Sequence, residues 1–569
     1  MSSDAQISPS REVSIPGAAV GGESPLSSGA SASLRWERLA SAWAKIDAAL
    51  ARASDWLNPI LVKETRQALK SWQFTWAFLL LLVACWVVTI GGVAVIGPSI
   101  YYAAGGSEML LWYWGILAFL LLVVVPYSAF RSLAGEREDN TYELLSITSL
   151  RPRQIISGKL ASAVVQMAVF FSAVMPCLAF TYLLRGVDVP TIALLLAYTF
   201  FGSLGLSMLG LLLATAARQR YGQVILSVGF VALLLGAFQL AILMAASLVQ
   251  AGSMLFGTEA FWISQAAVAN VYITSFALAY FAAASMITFA TENRSTPLRI
   301  IMLVQQASYI GWAAWAWIES TERSSSPEAP VFALALAAGA YWFVMGAIMN
   351  GEASEMSRRV KRSLPQSLLE RVFFTWLNPG SGSGYIFAVA NLTTIAVLSM
   401  IALAHSFTSV SASRWLGAEP CLYFIVIGWG YVVAYLGLGR LVVATLRRFT
   451  LVTMMASVLI HVLLVLAGSG IPTVIQWMSI SMQHLDYSYL QLTNPFWSLW
   501  HVIRGSLAAE TLLLLIIVPT AACCVLLMNM PSVVRELRQV RTLPPPRVLE
   551  DEAELHPAPA AGPQSPWDE

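Results

Sequence analysis

Apolar runs long enough to cross a bilayer recur along almost the whole chain, separated by short polar stretches. A membrane-crossing helix needs about 20 mostly apolar residues. Twelve runs qualify: 74–96, 109–130, 160–184, 191–214, 224–248, 261–288, 298–318, 331–349, 385–404, 421–444, 451–475 and 511–530. The pattern predicts an all-α polytopic membrane protein with about twelve transmembrane helices. Ahead of the first run, Asn58 and Pro59 suit the N-cap and first position of a helix. Leu61, Ala68, Leu69, Trp72 and Trp76 then fall on one face, and Lys63, Arg66, Gln67, Lys70 and Gln73 on the other. A helix patterned in this way lies in the plane of the membrane interface, so an N-terminal interfacial elbow is expected over 54–73.

Charge adds an orientation. With the N-terminus inside, the outer loops hold only Arg185, Arg323, Arg414 and Arg504 of the 33 Lys and Arg. The inner connections carry Arg218 and Arg220, Arg294 and Arg299, Arg358 to Arg362, Arg447 and Arg448, and Arg535 and Arg538. A bias of this kind predicts N-in, C-in topology. Composition agrees: 57% of residues are hydrophobic and 11% charged, with mean hydropathy +0.69, which excludes a soluble globule. Residues 1–53, rich in Ser, Ala, Gly and Pro, read as a disordered cytoplasmic tail, and 532–569 as a second cytoplasmic tail. All five cysteines fall within apolar runs, which fits neither a disulfide framework nor a metal site. No nucleic-acid partner is expected.

The most ordered polar stretch is 131–159, between the second and third runs. Glu136, Glu138 and Asp139 open a helical pattern, where negative charge suits the positive end of the helix dipole. Leu144, Leu145 and Ile147 follow as an apolar edge, Pro152 can start a second short helix, and Gly158 and Lys159 lead into the next span. The order Glu136-Arg137-Glu138, then Thr141, Glu143-Leu144-Leu145, a Ser/Thr-rich turn, Arg151-Pro152-Arg153 and Gly158-Lys159 resembles the coupling loop of type-2 ABC exporter permeases. Asn140 stands where that family usually has glycine, and Ser149 where it often has proline. The resemblance covers residues 55–293.

This resemblance implies a six-span permease core over 74–293 and a coupling helix seated on a separate ATP-hydrolysing subunit. ATP and Mg would then be bound by that soluble ABC ATPase and no cofactor by this chain. It also implies a second permease chain and a place in the bacterial cytoplasmic (inner) membrane. The residues expected to couple to the ATPase are Glu136, Arg137, Glu138, Thr141, Glu143, Leu144, Leu145, Pro152, Gly158 and Lys159. Asn58, Pro59, Lys63, Arg66, Lys70 and Trp72 would form the elbow.

Beyond the core, 294–350 holds two further spans, 351–384 a basic cytoplasmic loop and 385–531 a four-span region. Gly380-Ser381-Gly382-Ser383-Gly384 reads as a flexible turn before span nine. The tetrapeptide Trp56-Leu57-Asn58-Pro59 recurs at 376–379, a match expected by chance in a chain of this length. The outer segment 476–505 is rich in aromatics, which favour the interface. No Gly-x-x-x-x-Gly-Lys-Ser/Thr loop is present, since Arg153 stands at the first glycine position and Leu160 follows Lys159. Ionisable residues inside spans would mark an ion pathway. Only His461 and Arg440 qualify, which speaks against a secondary transporter. A permease-derived membrane scaffold is the other alternative.

Overall fold

The computed structural model describes residues 58–96, 105–138, 151–216, 220–289, 292–322, 327–353, 374–409, 415–450, 452–479, 487–504 and 509–541, with a few single positions between them. Thr141, Glu143, Leu144 and Leu145, the basic cluster Arg358, Arg359, Lys361 and Arg362, all of 1–53 and most of 542–569 lie outside the described residues. Residues 532–541, expected as the start of a cytoplasmic tail, instead continue a helix that begins at Ala509. Helix makes up about 90% of what is described, and no strand occurs there.

Helix α1 (Pro59–Leu69) turns through Lys70 and Ser71 into α2 (Trp72–Ile96). Helices α3 (Gly106–Phe119) and α4 (Val125–Glu138) form one rod, joined by a π-turn over Leu120–Val124. Then come α5 (Pro152–Leu183), α6 (Val189–Ala216), α7 (Arg220–Ala251), α8 (Glu259–Ile287) and α9 (Thr296–Glu322). The chain continues through α10 (Glu328–Asn350), α11 (Ser381–Ser409), α12 (Trp415–Leu446) and α13 (Met454–Met478). A short helix, α14 (Pro495–Ile503), precedes α15 (Ala509–Arg541).

Among the described residues, eleven helices are long and apolar enough to cross a membrane, the α3–α4 rod counting as one. The chain is therefore a multi-pass membrane protein. The expected twelfth run, 298–318, does form a helix, α9, but is not apolar enough to be counted, because Arg299, Gln305, Gln306 and Ser308 interrupt its first half. It nevertheless covers the height of a span. It runs beside the membrane-length α11, with Arg299 donating to Ser383 near one end (3.0 Å) and the Trp317 ring against His405 near the other (5.7 Å).

The π-turn has a local cause. Pro126 has no N–H to give the carbonyl of Leu122, and the Val125 N–H reaches back five residues to Leu120 instead. In a membrane a freed carbonyl must find another donor. Ser203 of α6 donates to the carbonyl of Leu121, and one turn away the Trp114 indole donates to Thr199 Oγ1 (2.8 Å). Apolar area alone drives little association between helices already in lipid, so bonds like these fix which faces meet.

The packing order of the first set of spans recurs in the second. The α3–α4 rod packs on α5, α6 and α7; α6 packs on α5, α7 and α8; and a 3-10 turn (Gly252–Gly257) lies between α7 and α8. In the same way α10 packs on α11, α12 and α13; α12 packs on α11, α13 and α15; and a 3-10 turn (Tyr489–Thr493) with α14 lies between α13 and α15. The two sets meet through α8 and α9, where Asn270 donates to Ser308 (3.1 Å) and Gln305 to Ser275 (3.2 Å).

Candidate functional site

Helix α1, the expected elbow, seats on the start of α5. Asn58 caps α1, its Oδ1 accepting from the Ile60 N–H (3.1 Å), and its Nδ2 donates to the carbonyl of Gln154 on α5. Pro59 follows at the first helical position. Gly158 permits the close approach, since a β-carbon there would stand 2.8 Å from that of Ile60. Lys63, Arg66 and Lys70 are exposed, and Trp72 lies against Trp76 edge to face, both exposed as well. The face turned to the protein is Ile60 and Glu64, and the sequence reading had not singled out Glu64.

Glu64 belongs to an ion cluster that joins three elements. Lys159 of α5 has a side chain only 1% exposed, and its Nζ lies 3.0 Å from Glu64 Oε1 and 3.1 Å from Glu136 Oε2 at the end of α4. Lys63, on the open side of α1, adds a second cation 3.4 Å from Glu136 Oε1. The buried ammonium is thus shared by two carboxylates, and losing it would leave both facing each other with little solvent. It also contacts the Ser132 carbonyl (3.5 Å), one turn before Glu136.

The residues expected to couple to an ATPase divide by position. Glu136 and Glu138, expected to open a helix, instead lie in the last turn of α4, and Glu136 faces this cluster. Arg137 donates to the carbonyl of Thr215 (2.7 Å), tying α4 to the last turn of α6, where a cation also suits the helix dipole. Glu138 points outward and, among the described residues, meets the exposed Arg131 at 3.7 Å, a pairing worth little in water. Pro152 does start a helix, with the Arg151 N–H donating to Gln154 Oε1 (2.9 Å). The expected separate short helix is not present: α5 runs unbroken from Pro152 through Gly158 and Lys159 to Leu183. Gly158 is packed against the elbow and does not break the helix.

A second buried network surrounds the start of α11, in the place equivalent to the start of α5. The pentapeptide 380–384, read from the sequence as a flexible turn, is the buried N-terminus of this helix. Two carboxylates complement its positive end. Glu352 accepts from the Gly380 N–H (2.9 Å), and Glu536 of α15 accepts from the Gly382 N–H (2.6 Å). Each carboxylate has its own arginine: Arg299 at 2.7 Å from Glu352 and Arg440 at 3.0 Å from Glu536. Glycine at 382 is needed because a β-carbon would stand 2.7 Å from the Glu536 carboxylate.

Buried charge is therefore commoner than the sequence reading allowed, since Lys159 and Arg299 join Arg440. All three sit near helix ends and are paired; Arg440 was visible inside its apolar run, whereas Lys159 and Arg299 lie at the very start of theirs and read as part of the polar connections. His461 is fully buried and bonded through both ring nitrogens. Its Nδ1–H donates to the Ser457 carbonyl (2.7 Å), which leaves Nε2 to accept from Asn350 Nδ2 (2.9 Å). Compared with family profiles, with curated proteins and with solved structures, the chain matches none of them, so the site stands on its own geometry.

Proposed function

We propose that this chain is the membrane-spanning permease subunit of an ABC exporter, driven by a separate ATP-hydrolysing subunit that docks on the stretch between α4 and α5. The observation that supports this best is the three-way ion cluster. The stretch 139–150 leaves α4 just beyond Glu136 and enters α5 just ahead of Lys159. A force applied to it would reach both spans and the elbow together, because one ammonium holds all three. Residues 139–150, with the outward Glu138 beside them, would face the ATPase, and Glu136 and Lys159 would transmit the movement. ATP and Mg would be bound by the partner. On this reading the elbow end faces the cytoplasm, the termini lie inside, α9 completes twelve crossings, and the protein resides in a bacterial inner membrane.

The expected outcome of Glu138→Lys with Glu143→Lys is loss of the co-purifying ATPase with unchanged membrane insertion. An undiminished pull-down would sink the assignment. A second reading concerns stoichiometry. The single ordered coupling stretch points to two permease chains, whereas the repeated packing of α10 to α15 favours one chain supplying both halves.

A further inference from the structure

At the end of the bundle opposite the elbow, a cavity of ≈ 330 Å³ lies between α10, α11, α12, α13 and α14. This size falls at the small end of ligand pockets, which run from roughly 300 to 1,000 Å³. Its mouth is on the side of the bundle, where Leu336, Val344 and Phe496 line it and are all exposed. The wall presents carbon. Tyr431 and Tyr435 turn their hydroxyls away, donating to the carbonyls of Leu492 (2.6 Å) and Thr493 (2.5 Å). Two wall glycines leave the volume open although no neighbour requires them. A β-carbon on Gly339 or Gly428 would meet nothing nearer than 3.9 Å.

An apolar space of this kind gives water no partners, and left empty it forfeits the dispersion contacts of its lining. Its side opening in a membrane-spanning bundle gives access to hydrocarbon chains. The cation nearby matches the rest of a lipid. Arg504 directly follows α14, whose Phe496 and Leu499 line the cavity, and its guanidinium lies over the Trp500 ring at 4.8 Å. It is among the few basic residues the sequence places at that end. It lies five positions beyond Leu499, about 7.5 Å along the axis of α14, within reach of a headgroup at the rim of the cavity. We propose that the cavity holds one acyl chain of a membrane phospholipid, with its phosphate at Arg504.

The test uses the full-length protein in vesicles containing a phospholipid with a photoreactive diazirine in mid-chain, followed by peptide mapping. Cross-links are expected to concentrate on 335–344 and 424–435, well above those on the equally apolar, exposed face of α2. Gly339→Phe with Gly428→Phe should lower cavity labelling at least fivefold and leave α2 labelling unchanged. Arg504→Ala should lower cavity labelling about threefold. Should the double variant fail to fold, Gly339→Leu alone and the wild-type contrast between cavity and α2 decide. Equal labelling of cavity and α2, or undiminished cavity labelling in the filled variant, would overturn the acyl-chain site. Unchanged labelling in Arg504→Ala would overturn the headgroup contact.

Discussion

Replacing Lys159 with methionine is expected to destabilise the protein by about 3–5 kcal/mol, the usual consequence of removing one partner from a buried ion pair. The ammonium it removes is 3.0 Å from Glu64 and 3.1 Å from Glu136, so two carboxylates would be left facing each other. Lys63 replaces it poorly: that side chain is 57% exposed, and its Nζ lies farther from both carboxylates, 3.4 Å from Glu136 and 3.9 Å from Glu64. The melting temperature in detergent should fall steeply, and protease should cut between α1 and α2 faster. Adding Glu64→Gln and Glu136→Gln to Lys159→Met removes the stranded charges and should restore most of the stability. If the single variant melts like wild type, the cluster does not hold the elbow.

An effect of similar size, about 3–5 kcal/mol, is expected for Arg299→Met. The guanidinium carries four contacts at one point: Glu352 (2.7 Å), the Trp376 carbonyl (2.8 Å), Ser383 Oγ (3.0 Å) and the Gly380 carbonyl (3.3 Å). Without it, Glu352 keeps the Gly380 N–H and Ser295 Oγ but no cation at this distance, while the carbonyls of Trp376 and Gly380 lose a donor. Loosening should be local. Hydrogen exchange is expected to rise over 376–384 and at the start of α9, and to stay unchanged at α5. Lysine at 299 should rescue only in part, because an ammonium cannot reproduce the planar fork that meets carboxylate and carbonyl together. Uniform loosening of the whole chain would contradict this account of the site.

Much of the fold was legible because membrane-crossing helices announce themselves by length and apolarity. The boundaries of α2, α6 and α10 follow their apolar runs to within three residues. What the runs concealed was polarity at helix ends. Residues 152–159 looked like a separate short helix ahead of the span because Arg153 and Lys159 make them polar. In the fold these are the first two turns of α5, satisfied by Phe281 beneath Arg153 and by the carboxylates around Lys159. The pentapeptide 380–384 looked flexible because its glycines suggest freedom. Its order comes from Glu352 and Glu536, 28 and 154 residues away from the amides they hold. Pairings at such separations leave no local pattern. The repeated packing was hidden for a related reason: lipid-facing helices need only be apolar, so equivalent spans share neighbours without sharing residues. Glu64 was missed because it sits between Lys63 and Arg66 on a helix read for its basic face.

On the proposed function, energy enters through the stretch between α4 and α5 from another protein. Purifying the chain from its native membranes in a mild detergent, and measuring the intact mass of what comes with it, tests this most directly. A soluble ATPase carrying a phosphate-binding loop should be present in stoichiometric amount, should hydrolyse ATP, and should be released by Glu138→Lys with Glu143→Lys. Recovery of the chain free of any ATPase, under conditions that keep α1 to α15 folded, would contradict it.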